Sequence, residues 1–143
     1  MNKEDKKERV LFICTHNSAR SQMAEDLLRS LYGDIYDVYS AGNEPSSIRA
    51  EAVNVMREIG IDIGNQHSKD VNEFTGMDFE YIVTVCDYAK DTCPFFPGGK
   101  NYIHKGFEDP SGFKGNKSER LSKFREIRDE IKEWIQRKFG DEI

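Results

Sequence analysis

Four apolar residues, Val10 to Ile13, give way without a spacer to eight residues mostly small or polar, Cys14 to Ser21. A helical pattern follows at once, with Met23, Ala24, Leu27, Leu28 and Leu31 at spacings of three and four. The unit reads strand, tight loop, helix, and it sets the class of fold in which the rest must be placed.

The remaining elements continue the alternation. Residues 35–40 (IYDVYS) read as a second strand closed by Ala41 and Gly42. Ser46 and Ser47 are expected to cap a helix over 48–59, with Ala52, Val55, Met56 and Ile59 on its apolar stripe and Gly60 as its stop. Residues 68–74 read as a short helical turn, and 81–85 (YIVTV) as the central strand, ending at Cys86. Residues 91–101, with two prolines and paired glycines, read as loop, and Tyr102 and Ile103 as the start of a short last strand. After a turn at 108–112, Leu121, Phe124, Ile127, Ile131, Trp134 and Ile135 share one face of a helix over 118–138. This order predicts an α/β fold with a small parallel sheet covered on both faces. Ligands of such sheets bind beyond the carboxyl ends of the strands. Cys14, Cys86 and the loop at Asp109, which all follow predicted strands, should therefore meet at one edge.

A chain of 143 residues is expected to form one domain, 1–143, with 1–8 as a frayed, charged start. No apolar run reaches the length of a membrane helix, and the first residues lack the apolar stretch of a signal peptide, so a cytoplasmic protein is expected, monomeric by default. With 21 basic and 26 acidic residues, a net charge of -5 and no basic stripe, a nucleic-acid partner is not expected. A small anion needs only a local field. Three cysteines cannot all pair, and without an export signal a disulfide framework is not expected; reactive thiols, a metal site or plain packing stay open.

Cys14-Thr15-His16-Asn17-Ser18-Ala19-Arg20-Ser21 carries the chemistry. A tight loop feeding a helix start turns backbone N–H groups inward, so residues 15–20 form an anion nest at the positive end of the helix dipole. Arg20 adds a planar fork of donors matched to a tetrahedral oxyanion. The same field favours the Cys14 thiolate, a nucleophile aimed at the anion's central atom. Ser21 can donate its hydroxyl to that sulfur. Asn17 and Ser18 suit the loop's shape, because Asn tolerates the left-handed region and short polar side chains bond nearby backbone.

The stretch VLFICTHNSARSQMAE at 10–25 closely resembles the catalytic loop of the low-molecular-weight protein tyrosine phosphatase fold, and its QMAE ending resembles the thioredoxin-coupled arsenate reductase branch. The resemblance continues through YSAG at 39–42, VTVCDYAKDTCP at 83–94, GFEDPSG at 106–112 and FREIRDEI at 124–131. It implies a three-layer sandwich with a four-stranded parallel sheet flanked by helices. It also implies a relay: Cys14 attacks arsenate, Cys86 attacks Cys14 as arsenite leaves, and Cys93 attacks Cys86. Thioredoxin then reduces the last disulfide, with no tightly bound cofactor and no metal. Asp109 resembles the general acid of this fold.

Departures from the pattern are informative. His16 stands where this branch often has glycine, and Ala19 where it often has a further cysteine. Some members of the family bind potassium through side chains matching Asn17, Glu25 and Ser40, with a Thr and an Asp where this chain has His67 and Lys69. The ammonium of Lys69 is expected to replace that ion against Glu25. Two other functions remain open: a phosphomonoesterase using Cys14, Arg20 and Asp109, for which Cys86 and Cys93 would be superfluous, and a non-catalytic oxyanion-binding or redox module.

Overall fold

A computed structural model describes residues 7–87 and 95–140. Four strands, β1 (Glu8–Cys14), β2 (Tyr36–Gly42), β3 (Phe79–Thr84) and β4 (Gly99–His104), form one sheet in the order β2-β1-β3-β4, every pair parallel. The helices are α1 (Arg20–Tyr32), α2 (Ala50–Glu58) and α3 (Lys117–Lys138), with short 3-10 turns at Val71–Phe74 and Pro110–Gly112. The α/β class and the four-stranded parallel sheet are those expected. The chain runs from β1 outward to β2, then crosses to β3 on the other side. That reversal opens a crevice between the carboxyl ends of β1 and β3.

The strand period of two divides the core. Val10 and Phe12 of β1 join Val38, Val83 and the apolar stripes of all three helices in one cluster. Leu11 and Ile13 face the other way, into a cluster with Ala41, Ile82, Phe74, Phe79 and Phe96. Cys14 belongs to the helical side. Burial of these side chains contributes about 1.5–3 kcal/mol each, which is why the sheet's register is firmly set.

Several boundaries differ from the sequence reading, three of them for a plain local reason. β1 begins at Glu8, inside the stretch read as frayed, because Glu8 N–H donates to the Ile35 carbonyl. α2 begins at Ala50, and no side chain caps it. The N–H groups of Ser46 and Arg49 are committed instead to the carbonyls of His16 and Ser18. β4 begins at Gly99, within the stretch read as loop, because Phe79 N–H donates to Gly98 and Gly99 pairs with Phe79.

Candidate active site

The nest is built where β1 ends and α1 begins without a side-chain cap. Ala19 at the cap position makes no side-chain bond, and no acidic residue lies in the first turn. The positive end of the helix dipole is thus not countered by the helix's own side chains. Cys14, Thr15, Ala19, Arg20 and Ser21 are buried, and Asn17 is wholly so. Ser18 is half-buried and His16 exposed.

Outside the loop, neighbouring segments satisfy its carbonyls. Glu44 N–H donates to Thr15 (2.9 Å), Ser46 N–H to His16 (3.2 Å) and Arg49 N–H to Ser18 (3.0 Å). The Asn17 carbonyl accepts from Ser68 Oγ at 2.7 Å and Gln22 Nε2 at 3.1 Å. With the carbonyls drawn outward, the intervening N–H groups are directed to the interior of the loop. Asn17 holds the bend at φ 52°, the one positive φ outside glycine among the described residues. His16 adds a ring contact, Nδ1 lying 2.9 Å from the Glu44 carbonyl. As that oxygen can only accept, Nδ1 carries the proton.

A buried polar chain leads away from the thiol. Cys14 Sγ lies 2.9 Å from Ser21 Oγ, and Asn17 Nδ2 donates to both Ser21 Oγ (2.7 Å) and Ser40 Oγ (3.0 Å). Ser40 in turn donates to Glu25 Oε1. Asn17 Oδ1 accepts from Lys69 N–H and from Gln22 Nε2, both at 2.9 Å. Glu25 is held by Arg29 on one side, while Lys69 Nζ lies 3.7 Å from its Oε1. The Arg29 guanidinium sits above its ordinary range: burial pulls it down, but the bonds and charges of Glu25 and Asp26 together outweigh that. Burial raises the neighbouring Asp26 carboxyl against the pull of Arg29. His67 contributes its backbone, the carbonyl accepting from Lys69 Nζ (3.0 Å) and Gln22 Nε2 (2.9 Å).

Arg20 is anchored from the loop after β4. Its Nη1 donates to the Phe107 carbonyl at 3.2 Å, and its Nη2 lies 3.5 Å from Asp109 Oδ2. Asp109 is oriented in turn by Ser111 N–H, which donates to Oδ1 at 2.9 Å. Cys86 follows β3 and is completely buried, its Sγ 3.7 Å from the carbonyl of Ile13, the residue before Cys14. The Cys86 sulfur is in a disulfide, whereas Cys14 is free. Cys93 lies outside the described residues.

The structure thus gathers Cys14, Arg20, Ser21 and Asp109 around one loop, with Glu25, Ser40, His67 and Lys69 behind it. Sequence reasoning missed Gln22, whose amide ties Asn17 to His67, and Gly42. A Cβ on Gly42 would lie 2.5 Å from the Thr15 carbonyl oxygen, 2.8 Å from that of Cys14 and 3.0 Å from Asn17 N. Among the described residues no cluster of His, Cys, Asp and Glu could hold a metal ion, and no helix is long and apolar enough to cross a membrane.

Comparison with known proteins adds to this geometry. Residues 9–141 match the model of the low molecular weight phosphotyrosine protein phosphatase family. An arsenate reductase of Halalkalibacterium halodurans is 43% identical over 122 residues, 85% of this chain and 88% of that protein. A solved arsenate reductase in its phosphate-binding state superposes with a TM-score of 0.80 at 29% identity, over 94% of this chain and 98% of the other. The thioredoxin-dependent arsenate reductase of Corynebacterium glutamicum matches with a TM-score of 0.62 at 29% identity, over 91% of this chain and 61% of its own.

Proposed function

Because the chain belongs to the low molecular weight phosphotyrosine protein phosphatase family, in its arsenate reductase branch, we propose that it reduces arsenate to arsenite through Cys14, Cys86 and Cys93 in that order and is regenerated by thioredoxin. Residues 1–143 act as one catalytic domain in this reading.

Arsenate sits in the nest, held by the N–H groups of 15–20 and the Arg20 fork. The Cys14 thiolate attacks arsenic while an arsenate oxygen, protonated with help from Asp109, leaves as water. The Cys86 thiolate then attacks Cys14 Sγ. The sulfur–arsenic bond breaks, its electron pair stays on arsenic, and As(V) departs as As(III) arsenite. Two thiols have lost the two electrons that arsenic gained, as a Cys14–Cys86 disulfide. The Cys93 thiolate attacks Cys86, Cys14 leaves as thiolate, and the disulfide moves to Cys86–Cys93. Thioredoxin supplies two electrons and restores both thiols.

One observation carries the reading: a free thiol bonded to Ser21 lies at the floor of an anion nest, with the Cys86 sulfur against the adjacent residue Ile13. Lys69, 3.7 Å from Glu25, stands in for a potassium ion behind the loop. The same Cys14, Arg20 and Asp109 would support a phosphomonoesterase side activity, since a phosphate ester presents the nest with the same tetrahedral oxyanion.

Arsenate-dependent NADPH oxidation with thioredoxin and thioredoxin reductase tests the relay. Wild type turns over, and Cys14→Ser, Cys86→Ser and Cys93→Ser do not. Full turnover in the Cys86 and Cys93 variants would overturn it.

A further inference from the structure

We propose that the stacked rings of Phe95 and Tyr102 are the surface on which thioredoxin docks, an inference that rests on the reductase reading above. Phe95, Tyr102 and Phe113 are the large apolar side chains left exposed among the described residues, at 77%, 48% and 37%. Phe113 is covered by Lys123, whose Nζ lies 6.0 Å from its ring centre. Phe95 and Tyr102 stack on each other, with ring centres 5.4 Å apart and planes at 24°.

Their exposure is built in. Phe96, the next residue, is buried with its ring 6.3 Å from that of Phe79, which commits Phe95 to the opposite side. The Tyr102 hydroxyl accepts from Gly99 N–H at 3.1 Å, so its ring is fixed. Tyr102 lies on β4, the sheet's edge, which pairs with β3 alone, and Phe95 precedes that strand by four residues. Between residues 95 and 107 the chain carries Lys100, His104 and Lys105 and no carboxylate, although Glu80 of β3 pairs with Lys100 at 3.7 Å. A rigid, exposed aromatic anchor fits the apolar patch of a partner protein.

Position in the chain selects the occupant. Phe95 is two residues beyond Cys93, so their Cα atoms are at most about 7 Å apart. Cys86 is fully buried and out of reach of an external protein. Thioredoxin must therefore attack Cys93 Sγ, expelling the Cys86 thiolate. Its second thiolate then resolves the mixed disulfide, releasing Cys93 as thiolate and leaving thioredoxin oxidised by two electrons. A protein that brings its sulfur to Cys93 has to cover Phe95; a small thiol does not.

Thioredoxin titrations of wild type, Phe95→Ala, Tyr102→Ala and Phe95→Tyr test the docking, alongside dithiothreitol-driven turnover and the single-turnover arsenite yield of pre-reduced enzyme. Both alanine variants should raise the KM for thioredoxin about tenfold. Phe95→Tyr, which keeps the stack, should stay near wild type, and dithiothreitol turnover and arsenite yield should not move. An unchanged KM in the alanine variants overturns the docking, as does an equal loss with dithiothreitol. A dimer seen by sedimentation and abolished by Phe95→Ala, with KM unchanged, assigns the pair to a second copy of the chain instead. No arsenite from pre-reduced wild type overturns the reductase reading itself, and the docking with it.

Discussion

The backbone N–H of Lys69 donates to Asn17 Oδ1 at 2.9 Å, and this bond sets the direction of every hydrogen bond between there and the thiol. A backbone N–H can only donate, so the Asn17 amide turns its nitrogen to Ser21 and Ser40. Each hydroxyl accepts from Asn17 and keeps its own proton to give. Ser40 gives it to Glu25, and the Ser21 proton is free to go to Cys14 Sγ, 2.9 Å away. The sulfur at the nest floor is thus placed to accept from Ser21.

Asn17→Asp tests that polarity. A carboxylate still receives the Lys69 N–H but cannot donate to Ser21, whose proton then turns to the new carboxylate. Loss of a hydrogen bond to a charged group is worth about 1.5–3 kcal/mol, so alkylation of Cys14 by iodoacetamide at neutral pH should slow at least about tenfold. Arsenate turnover should fall with it. An unaltered alkylation rate would mean that Ser21 does not depend on Asn17 for its orientation.

Gly42→Ala should empty the nest without touching any of its residues. The added methyl would press on backbone atoms of Cys14, Thr15 and Asn17 at 2.5–3.0 Å, none of which can swing aside like a side chain. Overpacking of this kind costs about 1–3 kcal/mol in stability. Because the displaced atoms are the loop itself, inhibition by phosphate should weaken about 5- to 150-fold by the same energy range. Calorimetry and phosphate inhibition of turnover would check the two effects; intact inhibition would show that the loop yields without losing its shape.

What the sequence made legible follows from the range of the physics. The switch from VLFI to a polar octet to a helical stripe is local, so the Cys14 loop and its Arg20 could be placed from it. The start of β4 could not, because Gly99 is a loop residue by composition and becomes strand only through the register with Phe79. The helix over 48–59 was read two residues early for a related reason: the N–H groups of Ser46 and Arg49 are spent on the nest. Gln22 and Gly42 serve contacts to distant segments, with His67 and with the loop backbone respectively, and no local pattern encodes those needs.

Lys69→Ala should make the enzyme potassium-dependent. In wild type the ammonium lies against Glu25 and the His67 carbonyl, so added potassium should do little. Removing it leaves a buried carboxylate with Arg29 as its remaining cation among the described residues. Turnover should fall about tenfold, the scale of a lost charged hydrogen bond, and potassium should restore part of it where sodium or lithium does not. Strong potassium activation of the wild type would sink the idea of a built-in cation.

The clamp between α2 and α3 should titrate with acid. Glu58 accepts from Arg125 at 2.8–3.0 Å and from Arg128 at 2.9 Å, and the bond to Arg125 is the main reason its carboxyl is held below the ordinary 4.5. A carboxyl lowered in the folded state adds stability above its unfolded value and loses it as pH falls through the folded one. The side chain is 38% exposed, so solvent screening limits the gain to at most about 1 kcal/mol. Urea midpoints of wild type and Glu58→Gln should differ at pH 7 and converge near pH 3. A gap that persists in acid would assign the effect to packing.

Cys86→Ser should separate two chemistries that share one nest. Hydrolysis of a phosphomonoester needs a nucleophile, an oxyanion cradle and an acid, and Cys14, Arg20 and Asp109 supply them, with Asp109 Oδ2 3.5 Å from Arg20 Nη2. Arsenate reduction needs a second sulfur to take the first. Serine fits this buried position, because its hydroxyl can donate to the Ile13 carbonyl, which lies 3.7 Å from the native sulfur. The variant should therefore lose arsenate turnover yet hydrolyse p-nitrophenyl phosphate within about twofold of the reduced wild type, a change below 0.5 kcal/mol in barrier. Asp109→Asn should do the opposite to hydrolysis, lowering it about 100-fold, as loss of a general acid does. Equal loss of both activities in Cys86→Ser would show that residue 86 shapes the nest and not the electron path.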